Sequence, residues 1–248
     1  MFLDFDGIVN ARELGGIAAA DGKKVRRNVL LRTGKLSNLS ERDGERLADE
    51  YRLRHIVDFR DAAEMERKPD IVPEGIEYHP IQVLKKLPVR SNEDVQTRPP
   101  KEVKEIAKNV YRELAASDTA AKGYGEFFRI LLEARGEAVL WHCTQGKDRS
   151  GAAALLLLAA LGAGEDEAME EYYLSNVHAQ RRYEELRASG LAGDKLACMK
   201  NVLFVMPECI GEYTGALHRN YGSVEDYVRR GIGLTEREIR LLREYYTE

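Results

Sequence analysis

The segment that most constrains the fold lies at residues 137–164, where two apolar runs flank a short polar one. The first run, EAVLWH at 137–142, has the length and composition of a buried strand, and the second, AAALLLLAALGAG at 152–164, has the length of a buried helix. The polar stretch CTQGKDR at 143–149 is therefore predicted to be the loop between the carboxyl end of a strand and the N-terminus of a helix. Open α/β sheets bind their ligands at such a position.

The remainder of the chain alternates between strand and helix signals. Further strands are predicted at 28–32, 54–60 and 76–83, and apolar residues recur at helical spacing within 121–136. After residue 143 the sequence is almost entirely helical, and Thr235 with Glu238 predicts a capping box before the last helix. The pattern predicts an α/β sandwich with a mainly parallel central sheet flanked by helices, and a helical C-terminal half. Because the chain has 248 residues, 44% of them hydrophobic, one domain spanning 1–248 is favoured over two small ones.

Residues 84–100 are rich in lysine, arginine and proline and form the best candidate for a long exposed loop. An amphipathic helix is predicted directly after it, with Val103, Ile106, Val110 and Leu114 on one face. Two interpretations remain open. The segment is either a solvated connector or part of a flap or lid within 84–118, since loops of this length are often functional.

Charge and cysteine content narrow the classes of function. The formal net charge of −4 argues against a surface that attracts nucleic acid. Three cysteines without paired spacing argue against a disulfide framework or a zinc site, and the N-terminus has no secretory signal pattern. We predict a cytoplasmic location, with secretion without a classical signal left open. No transmembrane segment is predicted, because the run at 152–164 is too short to cross a bilayer.

The loop at 143–149 is suited to binding an anion. Backbone N–H groups and the positive end of the helix dipole converge there, and Arg149 can hold two oxygens of a phosphate. Glycine at position 146 lets the backbone turn sharply and approach a ligand. The side chains and backbone predicted to bind the phosphate with Arg149 are those of Thr144, Gln145, Gly146, Lys147 and Ser150.

Cys143 is the candidate nucleophile. The helix N-terminus, the loop N–H groups and nearby cationic side chains would stabilise a thiolate, which would attack phosphorus to give a cysteinyl-phosphate that water hydrolyses. A single cysteine at a strand end is more often a small buried hydrophobe. Here the strand, the glycine, the arginine, the Ser-Gly pair and the helix all agree, which favours catalysis.

HCTQGKDRSG at 142–151 resembles the His-Cys-x5-Arg-Ser/Thr-Gly loop of cysteine-dependent protein phosphatases. CTQGKDR is similar to the Cys-x-x-x-Lys-Asp-Arg form of atypical bacterial protein-tyrosine/serine phosphatases, some of which also act on phosphoinositides. NARELGG at 10–16, with Glu13 where the family has aspartate, and the segments 30–40, 56–64, 171–176 and 221–244 also look like family segments. The resemblance implies a phosphatase fold, Cys143 as nucleophile, Arg149 as phosphate clamp, and no metal or cofactor. It allows a phosphorylated protein, on tyrosine, serine or threonine, or a phosphoinositide as substrate.

The general acid that protonates the leaving group is harder to assign. Many cysteine phosphatases carry it in a Trp-Pro-Asp tripeptide, which does not occur in this sequence. Asp148 inside the loop is the first candidate, with a structural ion pair to Arg149 or Lys147 as the alternative role. Asp58, at the end of the predicted strand 54–60, is the second candidate, although an ordinary ion pair with Arg60 explains it equally well.

Two further classes of function remain as alternatives. A rhodanese-like sulfurtransferase also uses a loop cysteine beneath a helix, but the Cys-x5-Arg spacing and the resemblance along the chain argue against it. A non-catalytic phosphate-binding module is less favoured because a thiol, an arginine and a nearby acid are all present.

Overall fold

The computed structural model describes residues 1–85 and 92–248, and within them it has a five-stranded sheet at its centre. The strands are β1 (Arg12–Glu13), β2 (Leu30–Thr33), β3 (Leu53–Asp58), β4 (Glu77–Pro80) and β5 (Ala138–His142). Their order across the sheet is β1-β2-β5-β3-β4, in which β1 is antiparallel to β2 and all other neighbours are parallel. The predicted α/β sandwich with a mainly parallel sheet is confirmed.

Helices cover the sheet and make up most of the chain after β5. Before β5 they are α1 (Glu41–Asp49), α2 (Ala62–Arg67), α3 (Asn92–Gln96), α4 (Pro100–Ala116) and α5 (Asp118–Ala134). After β5 they are α6 (Asp148–Leu161), α7 (Glu165–Tyr173), α8 (Ser175–Ala188), α9 (Gly193–Leu203), α10 (Pro207–Tyr221), α11 (Val224–Tyr227) and α12 (Glu236–Tyr246). A short 3-10 helix (Ala20–Gly22) and a π-helical turn (Val228–Ile232) complete the set in the described ranges. Among these elements, none combines the length and the apolar character that a bilayer span requires.

The two faces of the sheet pack against separate cores, because side chains alternate along each strand. In β5, Val139 and Trp141 contact the larger core, which contains residues of α5, α6, α10 and α12. Ala138 and Leu140 contact the smaller core, to which α1 contributes Leu47. The helix α6 is buried along almost its whole length, as the apolar run at 152–164 predicts. The capping box at Thr235 and Glu238 is also present, at the start of α12.

Four helices, α3, α4, α8 and α9, pack around a third, smaller core, and we call them the helical cap. Its buried residues are Val95, Val103, Ala179, Cys198, Met199 and Leu203. The prediction of a loop through 84–100 is wrong at residues 92–96, which form α3. This helix is stabilised by burial of Val95 in the cap and by the ion pair between Asp94 and Arg98, at 3.1 Å. Residues 86–91 of the predicted loop lie outside the described residues.

Candidate active site

The predicted loop joins the carboxyl end of β5 to the N-terminus of α6, beside the carboxyl ends of β2 and β3. Gly146 turns the chain here with a φ of +65°, a conformation that favours glycine. A Cβ atom at this position would lie 2.2 Å from the carbonyl oxygen of Thr33 in β2. The loop can therefore close against the sheet only with glycine at position 146.

Buried side chains hold carbonyl groups of the loop on its convex side. The amide of Asn10 donates to the carbonyl oxygens of Gln145 and Gly146, at 3.0 and 3.1 Å. Arg32 donates to those of Gly146 and Lys147, at 2.9 and 3.2 Å. Because N–H and C=O point in opposite directions across a planar trans peptide, the N–H groups of the same peptides are directed to the concave side of the loop. Successive N–H groups arranged in this way form a concave anion-binding site.

A buried ion-pair network fixes these two supporting side chains. Glu171 of α7 accepts from the Nε of Arg12 at 2.7 Å and from Arg32 at 2.5 Å, and Arg12 also donates to the Oδ1 of Asn10 at 2.6 Å. Burial alone would raise the pKa of Glu171, but the charges of Arg12 and Arg32 outweigh it and hold that pKa below its usual value. The segments at 10–16, 30–40 and 171–176 therefore meet behind the loop and set its backbone conformation.

Arg149, in the first turn of α6, is held in place by Glu64 of α2. Its NH1 and NH2 groups donate to the two carboxylate oxygens of Glu64, at 2.6 and 2.9 Å, and NH1 also donates to the carbonyl of Phe59 at 3.1 Å. These bonds use three of the five N–H donors of the guanidinium, and the other two have no hydrogen-bond partner among the described residues. Burial would raise the pKa of Glu64, but the bonds and charge of Arg149 lower it below its usual value. The arginine is thus oriented before any ligand binds.

Cys143 is 3% exposed and borders a cavity of about 400 Å³. Thr144, Gln145, Lys147, Asp148 and Arg149 line the same cavity. The opposite wall is largely apolar and comes from the helical cap and the start of α10; it includes Val95, Val103, Ile106, Val110, Val202, Phe204 and Met206. A cavity of this size, with apolar walls and a few convergent polar groups, is typical of a binding site for a small organic group.

Asp148 lies at the rim of the cavity with its side chain 31% exposed. Its Oδ1 accepts a hydrogen bond from the hydroxyl of Tyr111 in α4 and lies 3.5 Å from the Nζ of Lys147. Burial and then the charge of Asp148 raise the pKa of Tyr111 well above its usual value, so the phenol stays a donor. The carboxyl group of Asp148 lines the same cavity as Cys143, and the Tyr111 hydroxyl holds it in one orientation.

Lys147 connects the loop to the helical cap. Its ammonium donates to the carbonyl oxygens of Val202 and Phe204 at the carboxyl end of α9, at 2.5 and 3.2 Å. The negative end of the α9 dipole favours a cation there. Lys147 is 5% exposed but lines the cavity, so it contributes charge to the site as well as a fixed contact between loop and cap.

The other residues predicted to bind the phosphate include Thr144, Gln145 and Ser150, and their surroundings differ. The hydroxyl of Thr144 donates to the Oε1 of Glu64, which links the loop to the same carboxylate that holds Arg149. Gln145 is partly exposed at the cavity. The Ser150 hydroxyl is buried and has no hydrogen-bond partner within the described residues, while its carbonyl accepts from the indole of Trp141 at 3.0 Å.

Asp58 lies at the end of β3, next to His142 of β5, as predicted, but it is not among the residues that line the cavity. It is completely buried, where it accepts from the guanidinium of Arg60 at 2.7 Å and from the hydroxyl of Tyr78 at 2.6 Å. Burial would raise the pKa of Asp58, but His142 and Arg60 outweigh it and lower the pKa. The register places Asp58 opposite His142, and both are on the sheet face away from Cys143. The structure thus brings Asp148, and not Asp58, to the cavity.

Sequence reasoning missed the partners that hold the site together. Glu64 has a local signal, because Asp61 and Glu64 form the D-x-x-E pattern of a capping box, which the structure contains. That pattern indicates a helix start but not the contact with Arg149. The network around Glu171 has no local signal, since its members are 139 and 159 residues from Glu171 in the chain.

A thiol, an oriented arginine and a loop of converging N–H groups around one cavity are the components that a cysteine-dependent phosphatase needs to bind a phosphate ester and attack its phosphorus. Residues 3–248 match the model of the tyrosine phosphatase family, and the chain belongs to this family. It is a phosphoric monoester hydrolase of the tyrosine-phosphatase kind, and the sulfurtransferase and non-catalytic alternatives are not favoured.

Relatives match over nearly the whole chain. A protein of Cupriavidus necator, provisionally named as a tyrosine-protein phosphatase, is 33% identical over 253 residues, which cover 98% of this chain and 88% of that protein. The triple specificity protein phosphatase PtpB of Mycobacterium tuberculosis is 24% identical over 279 residues, 97% of each protein. The crystal structure of PTPMT1 in complex with PI(5)P aligns with a TM-score of 0.39 and 12% identity, over 85% of this chain and 98% of that one.

Proposed function

We propose that this single domain, residues 1–248, hydrolyses phosphate monoesters without a metal ion, and that the residues around the cavity carry the reaction. The Cys143 thiolate attacks phosphorus, the bond from phosphorus to the ester oxygen breaks, and Asp148 gives its proton to that oxygen. Water then attacks the cysteinyl-phosphate while Asp148 takes a proton from it. Phosphate leaves and the thiolate is restored.

The observation that carries this proposal is the preset orientation of Arg149 next to Cys143. Glu64 holds the guanidinium at 2.6 and 2.9 Å, and the two N–H donors without a partner in the described part of the chain can bind two phosphate oxygens. Side chains of Asn10 and Arg32 direct the loop N–H groups inward. Donors fixed before the reaction stabilise the charge that develops on the transferred phosphoryl group at no cost of reorganisation.

The cavity favours an aromatic phosphate ester as substrate. Its apolar wall, with Val110 and Phe204 among its members, can pack against a phenyl ring while the phosphate lies in the loop. We propose phosphotyrosine in a protein as the first substrate, with phosphoserine, phosphothreonine or a phosphoinositide as further ones. The name of the Mycobacterium tuberculosis relative, a triple specificity phosphatase, supports a broad range. A cytoplasmic location fits the three unpaired cysteines.

Substitution of Cys143 tests the proposal. Wild-type protein should release phosphate from p-nitrophenyl phosphate in the presence of a chelator, and Cys143→Ser should have no measurable turnover but should still bind vanadate. Cys198→Ser is the matched control, because Cys198 is in the core of the helical cap. Full activity of Cys143→Ser, or loss of wild-type activity in chelator, would contradict the mechanism. Formation of thiocyanate from thiosulfate and cyanide, with release of sulfite, would instead support a sulfurtransferase.

A further inference from the structure

A cluster of two histidines and a glutamate lies on the sheet at the edge strand β4, apart from the catalytic loop. His55 of β3 is opposite Glu77 of β4 in the parallel register, and His79 follows two residues later on the same face of β4. His55 also pairs with Val139 near the start of β5, whereas the catalytic loop follows the end of that strand. The cluster and the cavity therefore occupy different parts of the sheet.

Three potential ligand atoms of this cluster are close together. The Nδ1 of His55 lies 3.3 Å from the Nε2 of His79 and 3.6 Å from the Oε2 of Glu77, and the last two atoms are 3.8 Å apart. Three atoms at these spacings share a point about 2.1 Å from each of them, which is the length of a zinc–nitrogen or zinc–oxygen bond.

A fourth residue orients one of the rings. The Nε2 of His55 lies 3.3 Å from the Oε2 of Glu137, so the ring can donate from Nε2 and keep the Nδ1 lone pair for the cluster. A carboxylate behind a histidine is the usual arrangement that fixes the tautomer of a metal-binding imidazole. Without a cation, the two rings can share only one hydrogen bond, and Glu77 is beyond hydrogen-bond distance of both.

We propose that His55, Glu77 and His79 bind a divalent transition-metal cation, with Zn²⁺ as the preferred ion and Glu137 as the orienting residue. Two imidazoles and one carboxylate are a ligand set suited to zinc, with a fourth position open to water. Glu77 is 70% exposed and His79 26%, so an ion can enter from solvent. The bound ion would connect the edge strand β4 to β3.

The described residues contain one other cluster of possible metal ligands, and its positive charge is already supplied by an arginine. Asp58, Asp70 and His142 also lie close together, but Arg60 is already between the two carboxylates, at 2.7 and 2.5 Å. Its guanidinium supplies the positive charge that a metal ion would bring. The proposal is therefore restricted to the cluster at β4.

The test is titration of the untagged full chain with ZnCl₂ by calorimetry, in a Cys143→Ser background that removes the active-site thiol as a competing ligand. One Zn²⁺ should bind at this site. His79→Ala and Glu77→Gln should each weaken Zn²⁺ binding at least tenfold, and Glu137→Gln should weaken it by about 10- to 100-fold. His218→Ala is the matched control, because His218 is an exposed histidine next to Glu165 on another part of the surface. Equal affinity of the His79→Ala and Glu77→Gln variants and the parent would overturn the proposal.

Two measurements guard against loss of folding in the variants. Circular dichroism should show the same spectrum for all proteins without metal, and the exposed Glu77→Gln is the variant least able to disturb the core. Free Zn²⁺ at ten times the dissociation constant of the parent's site should raise the unfolding midpoint of the parent by about 3 to 5 °C. At the same concentration the midpoint of His79→Ala should rise by no more than about 2 °C, and an equal rise in both proteins would also overturn the proposal.

Discussion

Replacing Glu64 with glutamine removes the charge that holds Arg149 while the side chain keeps its size. In the folded protein, both carboxylate oxygens accept from the guanidinium, at 2.6 and 2.9 Å. A glutamine offers one acceptor oxygen, and its NH₂ group would face an N–H donor of Arg149. The arginine therefore loses one bond and keeps only a weaker one, to a neutral acceptor.

The expected cost follows from the burial of the pair. The side chains of Arg149 and Glu64 are only 6% and 8% exposed, so solvent screens their interaction little. A hydrogen bond to a charged group contributes about 1.5 to 3 kcal/mol, and loss of one with weakening of another amounts to about 2 to 4 kcal/mol. If the whole effect falls on the transition state, kcat/KM decreases by about 30- to 900-fold.

Steady-state hydrolysis of p-nitrophenyl phosphate and inhibition by vanadate measure this effect. Glu64→Gln should lower kcat/KM and weaken vanadate binding, whereas Glu66→Gln, an exposed glutamate on the same helix, should change neither. Because Glu64 acts through Arg149, Arg149→Lys should lose little more activity when Glu64→Gln is added. Activity of Glu64→Gln within about threefold of wild type, or fully additive losses in the double variant, would refute the positioning role.

Glu64 also makes the free energy of unfolding depend on pH, with lower stability in acid. The pKa of Glu64 is lower in the folded protein than in the unfolded chain, because the bonds and charge of Arg149 outweigh the effect of burial. Its contribution to the free energy of unfolding is complete above about pH 4.3 and is lost as the pH falls through the lower folded-state pKa. The difference in stability between wild type and Glu64→Gln should therefore disappear on acidification, as followed by urea unfolding.

Three further substitutions test the loop and its charges. Gly146→Ala should abolish vanadate binding and lower the unfolding midpoint, because its Cβ would lie 2.2 Å from the Thr33 carbonyl oxygen. Gly211→Ala is the control and should do neither, because a Cβ at position 211 would lie in open space. Near-normal vanadate binding by Gly146→Ala would contradict the geometry. Asp148→Asn should reduce turnover of phosphotyrosine much more than that of an ester with a strongly acidic phenol, and a uniform loss along the leaving-group series would exclude it as general acid. Lys147→Ala should reduce phosphoinositide turnover more than phosphotyrosine turnover; equal losses would assign the lysine to the contact with the carbonyls of Val202 and Phe204.

Much of the fold could be predicted from local patterns. The segment 137–164 specified β5, the loop and α6, because a short apolar strand, a glycine turn and a long apolar helix each have a signal within a few residues. The antiparallel strand β1 was not predicted, since only two residues pair there. The helix α3 was also missed, because its stability depends on burial of Val95 in the helical cap.

The choice of the acid candidate needed three-dimensional information. Asp58 ends β3 and Asp148 begins α6, both at the carboxyl edge of the sheet, so the sequence ranked Asp148 first but left Asp58 as a second candidate. The pleat and register of β3 turn Asp58 toward His142 and Arg60, in a buried cluster of which only Arg60 lines the cavity. The position of Asp148 in the first turn of α6, with Tyr111 of α4 as its donor, depends on how α4 packs over the loop.

The sequence by itself determined the chemistry of the loop: which thiol, which arginine and which glycine stand between a strand and a helix. These features depend on contacts within about ten residues, for which residue order is sufficient. Only the tertiary structure decided which groups orient them, because Glu64 is 85 residues from Arg149, and Glu171 is 139 residues from Arg32. Contacts between such distant residues form only when the sheet order β1-β2-β5-β3-β4 brings their elements together, and no local pattern carries that information.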